Sequence, residues 1–421
     1  MPFAYDLGTR LYHAAIRIAS VFDRKAKLWV EGRKDLWLRI DRNSSRLNGC
    51  IWMHCASVGE FEQGRPVLEF LKKALPDRPV LLTFFSPSGY EALKNDPIAS
   101  HVEYLPPDSA ANAKKWIEKI KPSAAIFVKY EFWFHHLDQL RKAGVPTFLI
   151  SAIFRPDQPF FKWYGGTHRA MLRCFDRIFV QDDRSVELLR SIGIENISIG
   201  GDSRADRVLA IVERNEELPL AREFRERADG PILICGSTWP GDERILLSAF
   251  EKLKERPITI EVPHELKPDH LAKLRSEFPQ PVSNWSEGKL KENSRTLLID
   301  EMGLLARIYR YGDVAYIGGG FADGIHNLLE PAAWGLPVIF GPEHHKFAEA
   351  KGLIESGAGF SIRNAEELAE VLQKLLDDPS AREKAGSAAA AYVRSKAGVS
   401  ERTGKEILRS IGIGIEERSG N

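Results

Sequence analysis

Cysteine is scarce in this chain: four of the 421 residues are cysteines, and no two of them form a C-x-x-C pair. That scarcity argues against a disulfide framework and against a zinc site, and it fits a reducing cytoplasm. Net charge is nearly absent too, at +1, so the overall charge does not call for a nucleic-acid partner. The overall composition, with 43% apolar and 28% charged residues, is typical of a globular protein, and the length suits two domains.

Long apolar runs are also missing: there is no stretch of about 18 uncharged apolar residues, and therefore no convincing membrane span. The cleavage site and apolar core of a signal peptide are absent as well. Residues 1–30 nevertheless predict an amphipathic helix, and residues 1–50 hold ten Lys/Arg against five Asp/Glu. We expect this helix to lie on an anionic membrane surface, the alternative being a helix packed on its own domain. Its apolar face comprises Phe3, Leu7, Leu11, Ala14, Ile18 and Phe22.

Short apolar runs alternate with helical patterns in both halves of the chain, which predicts an α/β protein with two parallel sheets covered on both faces. In such sheets ligands bind beyond the carboxyl ends of the strands, and we expect a cleft lined by those ends. The predicted segments are an interfacial helix at 1–30, a first domain at 31–205, a second at 206–390, and a helical segment at 391–421 that could cross back. The predicted strands are Cys50–His54, Val80–Phe85, Ala124–Val128, Thr147–Ser151 and Arg177–Val180, then Pro231–Cys235, Ile258–Val262, Thr296–Ile299, Val314–Ile317 and Pro337–Phe340.

Two loops of the first half carry a carboxylate directly after a strand. Glu60 follows the first strand within HCASVGE, where it could take a proton from an attacking hydroxyl. The alternative is a capping box of Ser57 with Glu60, weakened by Pro66, which we expect in the first turn of the following helix. Glu131 follows a later strand and leads an aromatic run, where it could meet a sugar or have its pKa raised by desolvation. Its alternative is a helix N-terminal glutamate favoured by the helix dipole.

Two loops of the second half suit a phosphate. In GSTWPGDE, Thr238 is predicted to cap a helix with Pro240 in its first turn; the alternative is a cap with no ligand. Gly318-Gly319-Gly320 also follows a strand, and three consecutive glycines cost folding entropy with no evident packing return. We interpret this turn as a nucleotide-phosphate cradle, although it is not a Walker A motif. Glu330 could accept hydrogen bonds from ribose hydroxyls, or form a capping box with Asn327.

Together these segments resemble the 3-deoxy-D-manno-octulosonic acid (Kdo) transferases of lipopolysaccharide synthesis, over about residues 1–410. The resemblance implies the GT-B architecture, in which two Rossmann-like domains with parallel sheets face each other across a cleft. The acceptor then belongs to the first domain and the nucleotide donor to the second. The motifs that carry the resemblance are WMHCASVGE, YLPPD, EFW, GDSRAD, GSTWPGDE, DEMG and YIGGGFADGIHNLLEPAAWGLPVIFGP.

The resemblance implies inverting transfer of Kdo from CMP-Kdo to the lipid A precursor (lipid IVA), without a metal or other cofactor. It also implies the cytoplasmic face of the inner membrane, with peripheral or N-terminal attachment. Glu60 matches the family's general base and Glu131 its second carboxylate, with Ser57 and Gly59 on the acceptor side. The matching donor residues are Ser237, Thr238, His264, Met302, Gly303, Gly319, Gly320, Asn327 and Glu330.

The chain departs from the commonest family pattern at Lys129, Ile153, His264 and Leu304, and these departures bear on the acceptor contacts and on the number of Kdo units transferred. His264, for example, stands where an arginine is usual. Two other functions remain open. One is a soluble nucleotide-sugar enzyme of the same architecture, such as a UDP-sugar epimerase. The other is a nucleotide-sugar-binding protein at the membrane that does not catalyse transfer.

Overall fold

A computed structural model describes residues 3–322 and 324–413, and its contacts divide the chain into two units. The first unit comprises residues 1–207 and 398–421, and the second comprises residues 208–397. Within the described residues, no helix combines the length and the apolar content needed to cross a membrane.

The first unit is built on a seven-stranded parallel sheet in the order β3-β2-β1-β4-β5-β6-β7. The strands are β1 (Ile51–Cys55), β2 (Val80–Phe84), β3 (His101–Tyr104), β4 (Ala124–Val128), β5 (Thr147–Ala152), β6 (Arg177–Val180) and β7 (Ile197–Ile199). The helices are α1 (Phe3–Ala19), α2 (Arg24–Gly32), α3 (Leu36–Leu47), α4 (Val58–Ala74), α5 (Pro87–Leu93), α6 (Ala110–Ile120), α7 (Phe134–Lys142), α8 (Gly166–Leu172) and α9 (Asp183–Arg190), with a short 3-10 helix at Pro159–Phe161. Helix α10 (Arg204–Arg214) begins in the first unit and continues into the second.

Both faces of this sheet are apolar. Its central strands are nearly continuous apolar runs, and successive side chains of a strand point to opposite faces. Trp52 and Phe127 belong to the core on one face, while Met53 and Ile126 belong to the core on the other. Pro66 was expected in a first helical turn, and that expectation is wrong. It lies inside α4, which tolerates the loss of one backbone donor and continues to Ala74.

The second unit has its own seven-stranded parallel sheet, in the order β10-β11-β9-β8-β12-β13-β14. The last helix of the described residues, α19 (Val399–Ser410), belongs to the first unit and packs on α4. The strands of the second unit are β8 (Ile232–Thr238), β9 (Ile258–Pro263), β10 (Val282–Asn284), β11 (Thr296–Leu298), β12 (Val314–Ile317), β13 (Val338–Phe340) and β14 (Gly359–Ser361). The helices are α11 (Pro219–Arg227), α12 (Pro240–Phe250), α13 (Pro268–Glu277), α14 (Leu305–Ile308), α15 (Leu329–Ala333), α16 (Ala348–Glu355), α17 (Ala365–Asp377) and α18 (Pro379–Ser395), with 3-10 helices at Trp285–Glu287 and Tyr309–Tyr311.

Each sheet has a central point at which its strand order reverses, and that point positions a candidate site. The reversal lies between β1 and β4 in the first unit and between β8 and β12 in the second. Connections leave the sheet in opposite directions there, so the carboxyl ends of the two strands open a crevice. The loops that follow these four strands are the ones in which the sequence places its carboxylates and glycines.

Candidate functional sites in the two units

Glu60 stands at the reversal point of the first sheet, in the first turn of α4. Its carboxylate accepts a hydrogen bond from the backbone N–H of Ala56. Ser57, at the N-cap, makes no side-chain capping bond, so the capping box that was the alternative is not formed. The carboxylate is therefore folded back over the loop that joins β1 to α4.

The pKa of Glu60 is raised from 4.5 to about 7. Partial burial is the main cause, because it disfavours the charged form, and the negative charge of Glu131 adds to it. The backbone N–H groups of Ala56 and Ser57 and the charge of Lys129 oppose the rise. A carboxyl group with this pKa can both accept and release a proton near neutral pH.

Glu131 is buried in the loop that follows β4, three residues after Val128, and it does not belong to a helix. Helix α7 begins at Phe134 with Trp133 as its N-cap, so the helix-terminal alternative is not what the structure has. The Oε2 atom of Glu131 accepts from Nε2 of His54 at 2.8 Å and from Nε1 of Trp133 at 2.7 Å. Two ring N–H groups thus fix the orientation of this carboxylate.

The two acceptor-side residues lie beside Glu60 at the same strand end. Ser57 is extended, and Gly59 is exposed, with open space where a side chain would stand. Two residues near these strand ends have backbone angles in the left-handed region: Lys129, just after β4, has φ +65°, and Ser151, in β5, has φ +56°. Non-glycine residues rarely adopt such angles, and where they do the site is often functional.

In the second unit, four of the predicted donor residues line one cavity of about 320 Å³. Ser237 reaches it from a bulge in β8, where its φ of +53° and a shift in the pairing with β9 turn the backbone. Met302 is 73% exposed and is not among the lining residues. The residues that line the cavity are Ser237, Gly303, Leu305, Ala306, Tyr309, His326, Asn327 and Glu330.

Two predicted caps take other forms. Thr238 is the last residue of β8; it does not cap α12, because Trp239 holds the N-cap position. The Thr238 hydroxyl instead donates to the buried carboxyl group of Glu261. Asn327 donates from Nδ2 to Oε1 of Glu330 at 3.0 Å, and its Oδ1 accepts from the backbone N–H of Leu329.

The three glycines after β12 have a packing role that the sequence did not show. A Cβ atom on Gly318 would lie 2.2 Å from the carbonyl oxygen of Ser237, and one on Gly320 would lie 2.6 Å from the backbone of Gly341. Gly319 has φ +92° and donates its N–H to Oδ2 of Asp242 at 2.9 Å. The argument that these glycines bring no packing return is therefore wrong: they let three loops approach closely.

Three stacked rings lie next to this turn. The centroid of the His264 ring is 4.3 Å from that of Trp239 and 4.7 Å from that of His326, and both pairs are stacked. Nε1 of Trp239 also donates to Nε2 of His326 at 3.0 Å. Burial and the neighbouring His264 lower the pKa of His326, and Asp242 opposes them. We had not predicted a role for His326, although its place in the HNLLEP block was a signal.

No group of three or more His, Cys, Asp or Glu side chains among the described residues could hold a metal ion. His344 and His345 lie next to each other, with ring centroids 5.0 Å apart, and belong to no such group.

Comparison with protein families gives one match: residues 31–207 fit the model of 3-deoxy-D-manno-octulosonic-acid transferases. The corresponding transferase of Aquifex aeolicus is 30% identical over 334 residues, covering 78% of this chain and 86% of that protein. The transferase of Chlamydia pneumoniae is 28% identical, covering 84% of this chain and 83% of that protein.

Solved structures of similar fold include sugar-nucleotide enzymes. A UDP-GlcNAc 2-epimerase from Neisseria meningitidis, bound to UDP-GlcNAc, has a TM-score of 0.61 and 17% identity over 86% of this chain and 99% of that one. A glycosyltransferase from Rickettsia africae has a TM-score of 0.59 and 14% sequence identity, and the match covers 86% of this chain and 98% of that one. At these identities the likeness shows the fold alone, and it agrees with the GT-B type expected from the sequence.

Proposed function

The chain belongs to the 3-deoxy-D-manno-octulosonic acid transferase family, and we propose that it transfers Kdo from CMP-Kdo to a hydroxyl group of the lipid A precursor. Transfer of Kdo in lipopolysaccharide synthesis is the activity that the family supports. The donor, the acceptor and the roles of individual residues are our proposal. The observation that carries it is the Glu60 carboxyl group, which stands at the reversal point of the first sheet with its pKa raised to about 7.

Glu60 acts as the general base. An attacking sugar hydroxyl must lose its proton as the new glycosidic bond forms, and a carboxylate with a pKa near 7 accepts that proton more readily than one near 4.5. Glu131 contributes a second, fixed negative charge at the same strand ends. The rate should therefore fall as the pH drops through about 7, where Glu60 takes up a proton.

The donor nucleotide occupies the cavity of the second unit. Its volume of about 320 Å³ lies at the lower end of the range for small-molecule sites. The Glu330 carboxylate can accept from ribose hydroxyls, and the Ser237 hydroxyl can donate to phosphate. Neither Lys nor Arg is among the described residues that line the cavity. The Ser237 hydroxyl and the His326 imidazole, whose lowered pKa favours the neutral ring, would stabilise the leaving phosphate as hydrogen-bond donors and dipoles.

Helix α1 attaches the protein to the membrane surface. Near its start, Tyr5 donates to Oδ2 of Asp108 at 2.6 Å, which ties the helix to its own unit. Farther along, Leu11 is 61% exposed and Ile18 69%, and Phe22, just beyond the helix, is 88% exposed. These exposed apolar side chains, together with the local excess of basic residues, suit the surface of an anionic bilayer at the cytoplasmic face of the inner membrane.

The test of the reaction is incubation with CMP-Kdo and a tetraacylated lipid A precursor, followed by mass spectrometry. We expect the acceptor to gain the mass of one or more Kdo units, and we expect no epimerised product from UDP-GlcNAc. Glu60→Gln should slow transfer by about 10²- to 10⁴-fold with unchanged CMP affinity, measured by calorimetry. A normal transfer rate in this variant would remove Glu60 from the mechanism.

The membrane proposal has a separate test, in vesicles that contain anionic lipid. A double variant, Ile18→Ser with Phe22→Ser, should co-sediment at least 10-fold less, because each buried apolar side chain contributes about 1.5–3 kcal/mol. Leu38→Ser is the matched control, since Leu38 is exposed but lies in α3. Equal vesicle binding by the double variant and wild type would contradict membrane attachment through α1.

A further inference from the structure

The His54 side chain connects Glu131 to the interior of the first sheet. His54 lies in β1 and is completely buried. Its Nε2 atom is 2.8 Å from Oε2 of Glu131, and its Nδ1 atom is 2.9 Å from the hydroxyl oxygen of Thr83 in β2. Nε1 of Trp133 lies 3.1 Å from the same Nε2 atom and 2.7 Å from Oε2 of Glu131. We assign the proton of the His54–Glu131 bond to Nε2, so that the Trp133 N–H donates to the carboxylate. One imidazole thus bridges the loop after β4 and a neighbouring strand.

The far end of this bridge is itself fixed. Nε1 of Trp52 donates to the Thr83 hydroxyl oxygen at 2.8 Å. The proton of that hydroxyl has two acceptors in reach, the carbonyl oxygen of Met53 at 3.3 Å and, at the shorter distance of 2.9 Å, Nδ1 of His54. The chain of hydrogen bonds therefore runs from Trp52 through Thr83 and His54 to Glu131, mostly through buried side chains that have little freedom to move.

We propose that His54 is a positioning residue, which holds the Glu131 carboxylate in the one orientation that places its negative charge next to Glu60. The hydrogen bond from Trp133 to the same Oε2 atom is the second support. His54 does not touch the acceptor in this proposal, and it acts only through Glu131. The proposal rests on the general-base function proposed above for Glu60.

The electrostatic surroundings of Glu60 give this positioning a measurable effect. The charge of Glu131 is the second largest cause of the raised pKa of Glu60, after burial, while Lys129 opposes it. Cys55 and Tyr130 are the other titratable groups that interact with Glu60. If the Glu131 carboxylate turned away, the Glu60 pKa would fall from about 7 toward 4.5, and Glu60 would become a weaker base.

A simpler role for His54 would be to fill the core. Its ring packs edge-on against Phe127 at 5.8 Å and Trp133 at 6.4 Å. Substitution would then lower stability without moving the pH at which activity is lost. The two roles differ in the pH profile and can be separated by it.

The experiment compares the pH dependence of kcat/KM for Kdo transfer in wild type, His54→Phe and His54→Gln. Phenylalanine keeps a ring in the core and removes both nitrogen atoms, whereas glutamine can still offer one N–H to Glu131. We expect the midpoint of the acid limb to move from about 7 to about 6 in His54→Phe, and by less in His54→Gln. Above pH 8, the weaker base should leave His54→Phe about 10-fold slower.

The matched control is His136→Phe. His136 is also completely buried, and its Nδ1 atom lies 2.6 Å from Oδ1 of Asp108. Asp108 is not among the groups that shift the pKa of Glu60. This variant should lose stability and keep the acid limb near pH 7.

A second readout does not require transfer: the titration of Glu60 itself, followed by carbon-13 NMR of labelled glutamate. The resonance is identified by its loss in Glu60→Gln. An unchanged Glu60 titration in both His54 variants, or an acid limb that stays near pH 7, would overturn the positioning role. A wild-type protein that transfers no Kdo at any pH would instead overturn the proposed function, and the NMR titration would still decide the role of His54.

Discussion

Replacement of Glu60 by glutamine is expected to make the protein more stable at pH 8 while it removes catalysis. Ionisation of Glu60 is disfavoured in the folded protein by burial and by Glu131, so the folded state bears a cost whenever this side chain is charged. Glutamine has the same shape and no charge. Its side-chain oxygen can still accept from the Ala56 N–H, so the local geometry should survive.

The size of the effect follows from the pKa. A rise from 4.5 to about 7 corresponds to about 3 kcal/mol at about 1.4 kcal/mol per unit. Glu60 is only partly buried, and solvent screening reduces this figure to about 1–2 kcal/mol. The sign is set by linkage: the stability that protonated Glu60 contributes is complete below pH 4.5 and is lost as the pH rises through about 7.

The assay is thermal unfolding of the full chain at pH 5 and at pH 8.5. At pH 8.5, Glu60→Gln should raise Tm by about 4 °C, because a domain of this size gains about 2–4 °C per kcal/mol. At pH 5 most of the difference should disappear. Glu187→Gln, an exposed glutamate in α9, is the matched control and should show no difference that depends on pH. A difference in Tm that is equal at both pH values, or a less stable variant at pH 8.5, would refute the reasoning.

Two further substitutions test the two sites separately. Gly320→Ala should destabilise the second unit by about 1–3 kcal/mol, because its Cβ would lie 2.6 Å from the backbone of Gly341; Gly241→Ala, where the nearest atom is 3.9 Å away, should change Tm little in the same thermal scan. Lys129→Gln should move the acid limb of the transfer rate to higher pH, since Lys129 lowers the pKa of Glu60. A limb that moves to lower pH would contradict the charge assignment.

The positions of the sites were accessible from the sequence. Buried parallel strands are short apolar runs in the sequence, and the loop after each run lies at the edge of the sheet where the carboxyl ends of the strands meet. Glu60 and Glu131 were placed at one such end by this rule alone, and the structure has them after β1 and β4, which pair directly. Local pattern suffices here because the topology of a doubly wound sheet follows from the alternation of strands and helices.

Partners distant in sequence could not be predicted in this way. His54 and Glu131 are 77 positions apart, and Trp239 and His326 are 87 apart. A buried histidine in a strand has the same local pattern whether it fills the core or holds a carboxylate. The same limit explains the wrong expectation at Thr238, whose hydroxyl donates to a residue on the next strand and does not cap the helix that follows it in the chain.

In the turn Gly318-Gly319-Gly320, two of the backbone N–H groups that a phosphate would need already have other acceptors. A phosphate cradle needs backbone N–H groups that point at the anion. Here the Gly318 N–H is used by the carbonyl of Gly236, and the Gly319 N–H by the carboxyl group of Asp242. A carboxylate at that position would also repel an incoming phosphate. These two N–H groups are therefore not left for a phosphate. In the proposed function, the phosphate would be held by other groups, such as the Ser237 hydroxyl and the imidazole of His326, which line the cavity.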